Sequence, residues 1–212
     1  RRQRQMFIRD RYIPELAASA FGDATVRQVL DMTTGLAYSE DYSDPEAEVW
    51  MHAAAGNPLP KADDYTGPRT YFQFLQTVKK QGRHGEVFAY KTVNTDVLGW
   101  LINRVTGKPI TDVLSERIWT KLGMEQDAFF SVDSIDTPFA GGGLNAGLRD
   151  MARFGQMMLN NGRFGGQQII PSNVIRRIIS IRRLRWSLSV LPLILLLEMR
   201  QMIRYLFLLI TL

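Results

Sequence analysis

The chain has 212 residues, 45% apolar and 22% charged, a balance ordinary for a soluble globular protein of one or two domains. It has no cysteine, which excludes disulfides, thiol nucleophiles and zinc–thiolate sites, and its two histidines, His52 and His84, stand outside any HExxH pattern, so no metal site is expected. The net charge of +5 is uneven: residues 1–11 and 176–212 hold twelve arginines against two acidic residues, which leaves −5 on residues 12–175, unlike a uniformly basic nucleic-acid binder.

In chain order, DATVRQVLDMTTGL (23–36) predicts a short helix. Thr25 and Gln28 fit a capping box, Val26, Val29 and Leu30 form the apolar stripe, and Gly35 is the expected stop. The acidic SEDYSDPEAEVW (39–50) and the proline-rich GNPLPKADDYTGP (56–68) read as long connections, which tend to be functional in compact domains. Tyr71, Phe74, Leu75 and Val78 follow the i, i+3, i+4, i+7 spacing of a helix that ends before Gly82. EVFAY (86–90) reads as a strand running into Tyr90.

The next helix places Val97, Leu98, Leu101, Ile102 and Val105 on one face and ends at Gly107. ITDVLSERIWTKLG repeats the design, with Thr111 as cap and Gly123 as terminator. DAFFSV (127–132) and GQQII (166–170) are further strand candidates. Between them, GLRDMARFGQMMLNNG predicts a helix with Leu148, Met151, Ala152, Met158 and Leu159 inward.

The ends break this grammar. RRQRQMFIRDR lacks the apolar core of a secretory leader. From Arg176 the text is rich in leucine and arginine, with no glycine and no cap, and its uncharged run from Trp186 to Leu197 falls short of the ~20 residues that span a bilayer. Contact of this tail with a membrane surface is one reading. Sequence foreign to the fold, as a shifted reading frame would give, is the favoured one. The expected organisation is a basic end over 1–11, a domain over 12–175 and the tail over 176–212.

Three segments in order resemble the serine β-lactamase and penicillin-binding-protein-like hydrolases. TVRQVLDMTTGL resembles their T-x-R-x-L-L-x-x-T-S-G-L segment, GEVFAYKTVNTDVLGWLINRVTGKP their tyrosine motif with its following helix, and FAGGGLNAGLRDMARFGQMMLNNGRFGGQQIIP their glycine-rich stretch. GLAYSEDYSDPEAEVWMHAAAG and the spaced Tyr90-x-Thr92-x-Asn94 look most like the 6-aminohexanoate-dimer hydrolase branch, which includes carboxylesterase-like members. The resemblance implies an α+β fold (an α/β sandwich), present here mostly as its helical part with few strands. It implies hydrolysis of a small amide or ester through an acyl-serine, with no cofactor. By the same resemblance Tyr90 is the general acid/base, Thr92 or Asn94 lines the site, and Tyr42 contacts substrate. A substrate-binding aspartate of that branch falls near Ala53, which speaks against that particular amide.

The chemistry explains the tyrosine. A serine hydroxyl is a weak nucleophile until a base takes its proton. A phenol, with a pKa of about 10, serves as that base only where a cation stabilises the phenolate. The family supplies the cation from a lysine three residues after the serine, on the same helix face. No Ser-x-x-Lys occurs in this chain: Ser19 is followed by AFG, Ser39 by EDY, Ser115 by ERI and Ser180 by IRR. The nucleophile is expected upstream of TVRQVLDM, and a third motif of the K-T-G or H-x-G kind after residue 175. The expectation is therefore a truncated, inactive representative whose helices, lacking the sheet, expose apolar surface. Lys91 could supply a cation, though neighbours in a strand point to opposite faces. GGGLNA fits G-x-G-x-x-A without a preceding strand, so no dinucleotide site is expected. The alternative function is a non-catalytic product that associates with a membrane or partner through its tail.

Overall fold

The computed structural model describes residues 7–176. The tail expected over 176–212 lies outside them but for Arg176, and so do residues 1–6 of the expected basic end.

Helix α1 (Thr92–Thr106 is α5 in chain order, and organises all that follows) spans Ile8–Arg11, where Ile8 is fully buried and its N–H reaches the Ala24 carbonyl at 3.1 Å. Helix α2, Val26–Leu30, has both halves of the expected capping box: Gln28 N–H donates to Thr25 Oγ1 at 3.2 Å and Thr25 N–H to Gln28 Oε1 at 2.9 Å. It stops earlier than expected. Met32, at φ 53°, takes the left-handed position, with Met32 N–H on Val29 O and Thr33 N–H on Gln28 O, a Schellman pair. Its side chain is fully buried, and that burial holds a non-glycine residue in this region. Gly35 serves a different need: a Cβ there would lie 2.4 Å from the Gly82 carbonyl oxygen. The Gly35 carbonyl itself accepts from the N–H groups of Gln81 and Gly82.

Strand β1, Leu36–Ala37, follows, then a nine-residue helix α3, Glu48–Gly56, which fills the gap between the two expected connections (39–50 and 56–68) and overlaps the end of the first. Helix α4 is Tyr71–Thr77, capped by Thr70, whose hydroxyl accepts from Gln73 N–H at 3.1 Å. Tyr71, Phe74, Leu75 and Val78 are buried as the spacing predicts. Strand β2, Lys79–Lys80, pairs antiparallel with β1, Leu36 opposite Lys80. His84 fastens this corner, with Nδ1 accepting from Gly35 N–H at 3.0 Å and Nε2 at 2.9 Å from Ala20 O.

The strand expected over 86–90 does not form. That segment joins no strand ladder, and Ala89 N–H donates to the Met32 carbonyl in the turn that ends α2. It feeds helix α5, Thr92–Thr106, which is buried on all sides over its first ten or so residues, polar Asn94, Thr95 and Asp96 included. A helix buried all round needs neighbours all round, and α2, α4 and α6 (Ile110–Leu114) pack on it. Gly107, at φ 69°, ends it as expected, while Val105 in its last turn is 42% exposed rather than inward.

Helix α6 starts at Pro109, whose restricted φ suits a helix start, so Thr111 lies inside the first turn and is not the cap. The chain then widens to a π turn over Ser115–Trp119, tightens to a 3-10 turn over Thr120–Leu122 and ends at Gly123, φ 58°. DAFFSV yields β3, Phe129–Phe130, antiparallel to β4, Leu144–Asn145. GQQII yields β6, Gln167–Gln168, antiparallel to β5, Arg163–Phe164.

Helix α7, Leu148–Leu159, is rotated from the expected phase. Leu148 is 85% and Leu159 74% exposed, Ala152 is exposed, and Met151 and Met158 are half-buried. Asp150, Phe154 and Met157 point inward instead, at the i, i+4, i+7 spacing of one face. The cause is Asp150, whose carboxylate accepts the N–H groups of Glu125 at 2.6 Å and Gln126 at 3.1 Å. That buried anchor sets the rotation, and the leucines follow it outward.

The described residues thus form an α+β fold dominated by helices, with three two-stranded antiparallel ribbons. One contiguous apolar core runs from Ile8 through Phe74, Leu98, Leu101 and Ile118 to Phe154 and Ile170.

Candidate active site

The turn from Tyr90 to Asn94 opens α5 and is gripped by the segment after β1. Thr92 N–H, unpaired within the helix, donates to Glu40 Oε1 at 2.5 Å, so a carboxylate faces the positive end of the helix. Lys91 Nζ donates to the Leu36 carbonyl of β1. Burial pulls the Lys91 ammonium below its ordinary range, against the opposing charges of Glu48 and Glu40. Lys91 is therefore committed to the scaffold beside Tyr90.

Tyr90 itself is half-buried. Its neighbour Tyr38 is buried, with a hydroxyl pushed upward by burial first and then by the charges of Glu40, Asp96, Tyr42 and Tyr90. Tyr42 and Tyr90 are thus both within electrostatic reach of one phenol. Tyr42 is 63% exposed on the acidic loop, edge-on to Trp50 with ring centroids 5.8 Å apart, and shares a shallow surface depression with Ser43 and Pro45. Thr92 is half-buried; Asn94 is fully buried, its Oδ1 accepting from the Thr34 hydroxyl at 2.7 Å. Thr92 is thus tied to the segment after β1 through Glu40, while Asn94 turns inward onto Thr34.

Below this turn lies a polar cluster that the sequence reading missed. His52 of α3 has Nδ1 3.1 Å from the Tyr38 hydroxyl and Nε2 3.1 Å from Asp96 Oδ2. The second contact is at ion-pair distance but bent away from straight hydrogen-bond geometry, since neither atom has a hydrogen-bond partner by direction. Asp96 Oδ1 accepts from Gly141 N–H at 2.9 Å. Asp96 was detectable as an acid inside an apolar helix; His52 carried no local signal, because its partners come from other elements. A pocket of about 180 Å³ lined by Tyr71, Trp100, Ile110 and Asp96, among others, touches none of Tyr42, Tyr90, Thr92 or Asn94.

Among the described residues no three His, Asp or Glu side chains converge as a metal site requires, and no helix is long and apolar enough to cross a membrane.

The chain as a whole is similar to several known proteins. Over 169 residues the chain is 38% identical to the 6-aminohexanoate-dimer hydrolase of Paenarthrobacter ureafaciens, covering 80% of this chain and 42% of that protein. A solved structure from Bacillus anthracis, assigned as a 6-aminohexanoate-dimer hydrolase, matches with TM-score 0.74 and 39% identity over 83% of this chain and 46% of its own. A D-stereospecific amidohydrolase from a Streptomyces species shares the fold, at TM-score 0.54 and 17% identity over 81% of this chain and 56% of its own. The chain spans about half the length of these relatives. The beta-lactamase family model matches residues 10–173, and with that match covering most of its length, the chain belongs to the beta-lactamase family.

Proposed function

We propose that these residues form the tyrosine-bearing part of a serine hydrolase that cleaves small amides or esters through an acyl-serine intermediate. The observation that supports this reading is the grip on the Tyr90 turn, where Lys91 Nζ donates to the Leu36 carbonyl and Thr92 N–H to Glu40. The 38% identity to a 6-aminohexanoate-dimer hydrolase supports the reaction class.

In this reading the Tyr90 oxygen takes the proton of an attacking serine as the Oγ–carbonyl bond forms. It then returns that proton to the departing amine or alcohol as the scissile bond breaks, leaving the acyl-serine. Water repeats the exchange, losing a proton to Tyr90 as it attacks and freeing the serine. Thr92 or Asn94 would line the site and Tyr42 would meet the substrate. The 212 residues contain no Ser-x-x-Lys, so the nucleophile and its lysine are assigned outside them, and these residues alone turn nothing over.

A chromogenic-ester assay tests this. The purified chain is expected to show no turnover above background. Supplying the part of the Paenarthrobacter relative that this chain does not match is expected to restore hydrolysis that Tyr90→Phe lowers by roughly 10²–10⁴-fold, the usual worth of a general acid/base. Equal rates with and without the Tyr90 hydroxyl would remove it from the mechanism. The other reading, association through the tail, predicts tail-dependent co-sedimentation of the chain with lipid vesicles; recovery in the supernatant regardless of residues 176–212 would end it.

A further inference from the structure

His52, Asp96 and Gly141 come from three separate parts of the chain and meet in one buried line. His52 lies on α3, just past the Tyr42 loop; Asp96 lies on α5, one turn after Thr92; Gly141 belongs to the glycine-rich GGG turn. His52 is 3% and Asp96 5% exposed, and the imidazole is enclosed by the rings of Tyr38, Tyr71, Phe74 and Phe139 at centroid distances of 4.9–5.9 Å. The line ends on the candidate site. A Cβ at residue 141 would lie 2.2 Å from Thr92 Cγ2 and 3.1 Å from Thr92 O, so the Gly141 backbone rests directly on Thr92.

The protons along the line follow from its chemistry. Asp96 Oδ1 already accepts from Gly141 N–H, which suits a carboxylate. With Asp96 as a carboxylate, Nε2 and Oδ2 stand 3.1 Å apart off hydrogen-bond alignment, and a hydrogen on Nε2 turns the positive end of an N–H dipole, not a lone pair, toward the acid. Nδ1 is then the acceptor and the Tyr38 hydroxyl the donor. Tyr38 thus donates to His52, while His52 and Asp96 meet as a close polar contact at 3.1 Å and not as an aligned hydrogen bond.

We infer that His52 is a positioning residue: held as the Nε2–H tautomer, it fixes the Asp96 carboxylate, which holds the Gly141 turn against Thr92 at the front of the tyrosine helix. The consequence for catalysis rests on the hydrolase reading above; the geometry does not.

The test is solution NMR on the ¹⁵N-labelled full chain, reading the His52 ring nitrogens, the hydrogen-exchange protection of the Gly141 amide, and the contact between the Gly141 Hα atoms and the Thr92 methyl. Nε2 is expected to be protonated and Nδ1 bare. In Asp96→Asn the side-chain amide has one acceptor for two donors, so either the His52 tautomer reverses or the Gly141 amide loses its acceptor. Retention of both overturns the inference. His52→Leu is expected to lower Gly141 protection by about tenfold, the scale of one hydrogen bond, and to weaken the Thr92 contact. His52→Gln, which keeps an N–H donor for Asp96, is expected to preserve both. A protonated Nδ1 with a bare Nε2 in the unmodified chain, or a folded His52→Leu with unchanged Gly141 readouts, overturns the inference. Should His52→Leu fail to fold, the tautomer and the Gln variant still decide. These spectra do not depend on turnover, so failure of the Tyr90 assay and failure of this positioning role are separable.

Discussion

Lys91 Nζ donates to the main-chain carbonyl of Leu36, tying the residue after Tyr90 to the first strand of the fold. A lysine beside the candidate base could have been read as the cation that stabilises a phenolate. Its hydrogen bond and its burial make it an anchor instead.

That anchor has a pH signature. Burial lowers the folded-state pKa of Lys91 below its ordinary 10.5, so between the two values the unfolded chain binds more protons than the folded one. Its contribution to stability therefore rises as pH climbs toward 10.5. Denaturant midpoints of the unmodified chain and Lys91→Met, measured from pH 7 to 10.5, are expected to diverge in favour of the unmodified chain. A constant difference would mean that Lys91 titrates alike in both states.

Gly141 should tolerate no side chain. Gly141→Ala places a methyl 2.2 Å from Thr92 Cγ2, and the strain is expected to destabilise by about 1–3 kcal/mol, as overpacking does. Gly82→Ala is the control, because a Cβ there meets nothing within 4 Å; its change is expected to stay within about 0.5 kcal/mol. Chemical denaturation of both variants checks the contrast, and equal losses would show that the Thr92 contact yields easily.

Asp150 should contribute to the acid limb of the fold. The backbone N–H of Glu125, then that of Gln126 and the Arg153 side chain, hold its carboxyl below the ordinary 3.8 despite burial. The stability it contributes is present above 3.8 and is lost as pH falls below that value through the folded pKa. Thermal unfolding of Asp150→Asn is expected to show a lower Tm than the unmodified chain at neutral pH and a narrowing gap toward pH 2. A gap independent of pH would refute the carboxylate anchor.

The errors of the sequence reading share a cause with these predictions. The phase of α7 was read from its leucines, yet Leu148 and Leu159 face solvent because Asp150 must reach the Glu125 and Gln126 amides. A hydrophobic pattern cannot reveal an acceptor whose donors lie more than twenty residues away. EVFAY has the composition of a strand, but its backbone is held by the turn that ends α2 and not by a ladder. Helix α3 starts at Ala47 without a side-chain cap, so nothing local distinguished it from the acidic loop before it. Glu48 folds back onto Ser39 N–H, a contact visible only once the loop has closed.

What the sequence determined by itself is what short-range physics decides. The Thr25–Gln28 capping box, the course of α5 to Gly107 and the order Tyr90, Thr92, Asn94 all depend on neighbours within a turn or two. The three family-like segments were legible for the same reason, as local strings of residues. Tertiary structure alone decided which side chains share a site. It brought Glu40 to the Thr92 amide, Lys91 to Leu36, and His52 to Asp96 and so to Gly141. Buried polar groups must find partners wherever the packed chain supplies them, and here those partners lie on other elements.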